Sequence, residues 1–180
     1  MNIVTRIPAA LAAPAILVAV TVAGCVSVST PDVPVPQELA PPASEALAMV
    51  VPARGVQIYK CATKGTSHEW AFVAPDAELF DPKGRLIGRH GAGPYWEALD
   101  GSKVNASLKA RADAPDKRDI PWLLLAAKNT GRDGAFSAVT SIQRVNTVGG
   151  TAPANGCDAA SVGKEVRVHY VADYRFFTQR

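Results

Sequence analysis

The sequence predicts an all-β domain, either an antiparallel β-sandwich or a partly closed barrel of about nine short strands with one disulfide. Three observations point there. Apolar and polar residues alternate with period two through most of residues 51–180. Fourteen prolines and fourteen glycines leave no room for a long uninterrupted helix. "DPKGR" and "DGSK" supply turn chemistry between the alternating segments.

The expected strands, in order, are "GVQIYKC", "HEWAFVA", "AELFD", "RLIGRH", "PYWEAL", "KVNASLKARA", "WLLLAAK", "FSAVTSIQRV" and "EVRVHYVADYRFF". Two show the alternation most clearly. Val104, Ala106, Leu108, Ala110 and Ala112 share one face, opposite Lys103, Asn105, Ser107, Lys109 and Arg111. Val166, Val168, Tyr170, Ala172, Tyr174 and Phe176 likewise face away from the charged residues of the last segment. "WLLLAA" is unbroken apolar, as expected of a strand covered on both faces.

The N-terminus has a different grammar. Arg6 precedes an apolar stretch from about Ala9 to Ala23, the layout of a secretory signal and too short to span a bilayer comfortably. It ends in Val22-Ala23-Gly24-Cys25, which looks like a bacterial lipobox. That resemblance implies a signal peptide over residues 1–24 and a mature chain acylated on Cys25. Acyl chains contribute about 0.8 kcal/mol per buried methylene, so the membrane would be a partner through them. Val26, rather than Asp, follows the cysteine and favours the outer membrane, facing the periplasm. Residues 25–50 read as a tether, with Pro31, Pro34, Pro36, Pro41 and Pro42 among serines and threonines. One helical turn is expected over residues 44–49. Residues 51–180 form a single domain, long enough to bury a core without metal or many disulfides.

The formal charge of +3 falls to +2 without Arg6 (18 − 16), and no basic run is interleaved with aromatics, which argues against nucleic acid. With Cys25 lipidated, Cys61 and Cys157 remain, and an oxidising compartment favours one bond between them. Closing so long a loop stabilises by roughly 4 to 5 kcal/mol in the chain-entropy model.

The blocks "GVQIYKC", "GRHGAGPYWEALDGSKV", "IPWLLLAAK", "IQRVNTVGGTAP" and "GCDAASVGKEVRVHYVADYRFF", in that order, resemble the family catalogued as domain of unknown function 3455. The resemblance implies a secreted or lipid-anchored single domain, with no established activity and no catalytic residues to carry over.

Candidate ligand-binding residues come from two loops. "RHGAGPYWEALDGS" gathers Arg89, His90, Tyr95, Trp96, Glu97 and Asp100 around a glycine-rich turn, where loops on a rigid sheet tend to bind. The plainer account puts Trp96 in the core with His90 hydrogen-bonded beside it. In "IQRVNTVGG", Arg144 and Asn146 either pin loop carbonyls or contact an anion or sugar.

His68, His90 and His169 lack metal-ligand spacing, so no cofactor is expected; His90 is the weak candidate for a metal. No G-x-S-x-G elbow appears. Acid pairs such as Glu97 with Asp100, or Asp158 with Asp173, do not by spacing alone define a hydrolase. The expectation is a non-enzymatic envelope module that binds a glycan, small molecule or protein, or serves structurally. A metal- or redox-handling protein and a carbohydrate-active or other hydrolytic enzyme are the rivals.

Overall fold

The computed structural model describes Met1 and residues 34–180; the expected signal peptide after Met1, and Cys25, lie outside the described residues. Eight antiparallel strands follow one another around a closed barrel. They are β1 (Glu45–Lys64), β2 (Ser67–Phe80), β3 (Leu86–Gly91), β4 (Tyr95–Ala98), β5 (Lys103–Ala112), β6 (Trp122–Asn129), β7 (Val139–Gly149) and β8 (Glu165–Gln179). Closure comes from β8 returning to β1, a ladder running from Glu45↔Gln179 to Lys60↔Glu165. Of the two architectures the sequence allowed, the barrel is the one formed, and it is complete rather than partial. A closed sheet has no exposed edge to pair with another chain.

Eight strands replace the nine expected because "HEWAFVA" and "AELFD" are one strand, β2. Val73 is unpaired between Phe72↔Tyr59 and Ala74↔Ile58, a bulge that bends the strand just before Pro75. A proline, which has no N–H to donate, is tolerated beside such an irregularity.

Residues 44–49 form no helical turn; β1 begins at Glu45, so the folded unit starts earlier than the tether reading placed it. A 3-10 turn, Gln37–Leu39, also belongs to it. Leu39 is fully buried with Trp122, Leu124, Val145 and Ala114, and Ala110 and Ala112 pack against them. Gln143 Nε2 donates to Leu39 O at 2.6 Å and fixes the segment to the wall. This contact explains the unbroken "WLLLAA". Leu125 packs in the main core with Leu123 against it, whereas Trp122 and Leu124 lie under Leu39. A second bulge, at Lys109, flips Ala110 and Ala112 out of the row shared by Val104 and Ala106. The face drawn through all five residues therefore holds only as far as Leu108.

The interior is filled by Val51, Ala53, Leu79, Trp96, Val104, Leu125, Phe136, Ile142, Tyr174 and Phe176. The outer wall carries charge. Arg54↔Glu78↔Arg89↔Glu97↔Lys103 are successive cross-strand partners on β1 to β5, alternating in sign around the barrel. Opposite charges directly across a ladder are mildly stabilising. At the other end of the sequence, Cys61 and Cys157 are bonded and tie the long segment before β8 to β1.

Candidate functional site

The glycine-rich turn builds one wall of a cavity at an end of the barrel. β3 and β4 are joined by Ala92, Gly93 and Pro94, and Gly93 adopts φ 127°, a conformation that favours glycine. The register sets His90 directly opposite Trp96. Their rings stack at 4.1 Å and 14°, and both meet Tyr174 edge-on, at 5.1 and 5.3 Å. His90 Nδ1 lies 2.7 Å from Tyr95 O. A carbonyl only accepts, so Nδ1 carries the proton and Nε2 the lone pair. Burial, assisted by the positive charge of Arg144, pushes the His90 pKa down to about 3, although the bond to Tyr95 O opposes the shift. The imidazole is neutral at pH 7.

The cavity beside this cluster measures about 260 Å³ and is lined chiefly by Phe72, Val73, Trp96, Leu123, Leu125 and Tyr174, with His90 and Arg144. A second hollow of about 440 Å³ shares Phe72, Leu123 and Arg144 with it and adds Gln57, Tyr59 and Arg111. Arg144 sits where the two meet. It is held in register between Leu123 on β6 and Tyr174 on β8. Its Nε and Nη2 donate to Pro121 O at 3.1 and 2.8 Å, and it also contacts the Tyr174 hydroxyl.

Burial raises the pKa of Tyr59, Tyr170 and Tyr174, so all three stay protonated phenols. Tyr59 donates to Gly150 O at 2.7 Å, and the Tyr170 and Tyr174 hydroxyls are 3.2 Å apart. Three buried donors find no protein acceptor: Trp96 Nε1 and Gln57 Nε2, on residues that line the hollows, and Trp122 Nε1, which lies under Leu39.

Of the candidates named from sequence, His90, Trp96 and Arg144 come together on this cavity. The others do not. Arg89 and Glu97 belong to the charged row on the outer wall, where Glu97 pairs with Lys103 at 3.2 Å. The Tyr95 ring packs under Lys103 Nζ at 4.1 Å. Asp100 braces a turn: it accepts from Ser102 Oγ at 2.6 Å, Ser102 N at 2.9 Å and Ala135 N at 2.8 Å. Those bonds, the Ser102 hydroxyl foremost, lower its pKa to about 2. Asn146 takes φ 51° at a bulge in β7 and donates to Asp173 Oδ2 at 2.9 Å.

Trp96 is a core residue, 1% exposed, with His90 stacked on it, and it also walls the cavity. Arg144 pins a loop carbonyl, Pro121 O, and also lines both hollows. Phe72, Leu123, Tyr174 and Gln57 were not singled out from sequence. Their signal there was period two, or for Leu123 an unbroken apolar run, which marks burial without saying that the buried face meets a void.

Neither hollow is lined by Asp or Glu, so the acid pairs considered for hydrolysis do not meet there. Among the described residues no group of three His, Cys, Asp or Glu is placed to hold a metal ion.

A closed antiparallel barrel with a small, largely apolar hollow at its end defines a class, the single-domain β-barrel of modest bore. Within that class the chain belongs to the family described as protein of unknown function (DUF3455), whose model matches residues 42–178. The match begins three residues before β1 and covers the barrel except for the last residue of β8, Gln179. A comparison with curated proteins found no match.

Proposed function

We propose that this protein is a bacterial envelope lipoprotein, acylated on Cys25, whose barrel binds a small organic ligand at its open end without transforming it. The observation that carries the binding reading is the cavity of about 260 Å³ walled by the His90–Trp96 stack, Tyr174 and Phe72. Eight-stranded barrels have an interior wide enough for side chains or for one small ligand, and here the side chains leave one end unfilled. The groups present suit holding rather than chemistry. His90 is neutral at pH 7, the tyrosines are protonated, and neither hollow is lined by a carboxylate. The lipid anchor is supported by Val22-Ala23-Gly24-Cys25 at the end of the apolar run, and outer-membrane placement facing the periplasm by Val26.

The test is fluorescence titration of the full chain with N-phenyl-1-naphthylamine, a neutral dye that brightens in apolar surroundings. Saturable binding is expected, together with its loss in Val73→Trp. Val73 is half exposed at the cavity rim, so an indole there covers the opening without disturbing the core. Absence of saturable binding, or equal binding by Val73→Trp, overturns the proposal. For the anchor, labelled fatty acid is expected in the wild type and not in Cys25→Ser.

A further inference from the structure

Arg144 lies on the wall of both hollows, on the inner face of the barrel, between two apolar or phenolic neighbours. Its bonds to Pro121 O satisfy part of its donor set but not its charge, because a carbonyl oxygen is neutral. Five ion pairs are formed among the described residues, and Arg144 is in none of them. Arg144 is half-buried, and a guanidinium partly withdrawn from water without a carboxylate is an arrangement that an incoming anion relieves. The imbalance extends beyond charge. Gln57, 2% exposed, keeps an amide N–H with no acceptor on the wall of the larger hollow, and the Trp96 indole N–H is in the same condition beside the smaller one. The hollows are thus lined by arginine, Arg144 on both and Arg111 on the larger one, with unpartnered N–H groups buried in their walls and no acidic side chain.

We propose that the barrel end selects small aromatic monocarboxylates, with the carboxylate on the Arg144 guanidinium and the ring against Phe72, Leu123 and Leu125. The planar fork of an arginine matches a carboxylate, and charge-assisted bonds of this kind are about twice as strong as neutral ones. The single cation common to both hollows balances one negative charge. A flat ring fits walls made of a stacked His90–Trp96 pair and the edge-on Tyr174. At about 260 Å³ the hollow is near the small end of ligand pockets, which excludes a glycan chain. The inference rests on the binding reading above and adds the chemistry of the ligand.

The experiment compares 1-naphthoate with the neutral 1-naphthalenemethanol by calorimetric titration into the full chain. The carboxylate is expected to bind on the order of tenfold more tightly. In Arg144→Gln the ratio of the two affinities should fall to about one. A second readout needs no substitution: the Arg144 Nε–H resonance should shift with the carboxylate and not with the alcohol. Equal affinities in the wild type overturn this inference and leave the binding reading standing. A preference that survives Arg144→Gln, or an unmoved Nε–H resonance, overturns the assignment to Arg144. Failure of both compounds to bind, with N-phenyl-1-naphthylamine also excluded, removes the pocket itself and this inference with it.

Discussion

Acid should destabilise this barrel at a pH well above the carboxylate range, and His90 should be the reason. The unfolded chain takes up a proton on His90 near its ordinary value of 6.5, whereas the folded chain resists until about 3. Between those values the unfolded state binds the additional proton, so stability is full above pH 6.5 and falls as pH drops towards 3. From pH 7 to pH 5 the unfolded state gains about 3.2 RT in protonation free energy, while the folded state gains almost none. The loss is about 2 kcal/mol, or about 4 to 8 °C in Tm for a domain of this size. The carboxylates of Asp100 and Asp116 act elsewhere: their pKa values are lowered to about 2, so their contributions disappear only below the ordinary carboxylate value. The groups packed on His90 are Trp96, the Tyr95 carbonyl, the Arg144 cation and Tyr174, whose pKa burial raises further above the neutral range. Urea unfolding of wild type and His90→Phe at pH 7, 6 and 5 measures the effect. The variant keeps the stack and loses the proton site, so its pH slope over this interval should be shallower by about 2 kcal/mol. Equal slopes in the two proteins would refute the buried neutral imidazole.

Four further outcomes are expected. Cys61→Ala with Cys157→Ala opens a loop with a sequence separation of 96 and should cost about 4 to 5 kcal/mol in the chain-entropy model, read from urea midpoints. Leu39→Ala, at a fully buried position ahead of β1, should cost about 2 to 5 kcal/mol; a cost near zero would return that segment to the tether. Gly150 has φ 85°, and a Cβ there would lie 2.8 Å from Tyr170 Cβ and 2.9 Å from Ile120 Cγ2. Gly150→Ala should therefore lower Tm by several degrees, through backbone strain and crowding together. Arg89→Glu places like charges opposite Glu78 and Glu97, a loss of under about 1 kcal/mol that should shrink at high salt.

Strand positions were legible because one face of each strand is buried, and period two records that directly. The face of β8 through Tyr170, Ala172, Tyr174 and Phe176 is buried as the alternation indicates. The bulges were not legible. One unpaired residue, Lys109, reverses the faces beyond it, and nothing in "SLKARA" marks the spot. The smallness of Ala110, Ala112 and Ala114 was the available hint that another segment packs closely there. Closure was hidden for a different reason: it depends on β1 reaching back to Glu45, inside a proline-rich stretch whose composition argues for a tether. The disulfide followed from counting cysteines.

At the site, His90 and Trp96 were findable because both lie in a glycine-rich turn. Arg144 was findable because it precedes the Gly149-Gly150 turn. Arg89, Tyr95, Glu97 and Asp100 share that neighbourhood in sequence but not in space. In a short hairpin alternate residues leave on opposite sides, so His90 and Trp96 face inward while Arg89, Tyr95 and Glu97 do not.

The three tryptophans provide the most direct test of ligand binding at the barrel end, because each indole N–H reports a different place. Trp96 walls the cavity, Trp122 lies under Leu39, and Trp70 donates to Asn155 O near the disulfide. Nitrogen-15 spectra recorded during titration with 1-naphthoate should move the Trp96 indole resonance and leave the other two in place. Shifts confined to Trp70 or Trp122, or no shift at all up to saturating 1-naphthoate, would contradict the account.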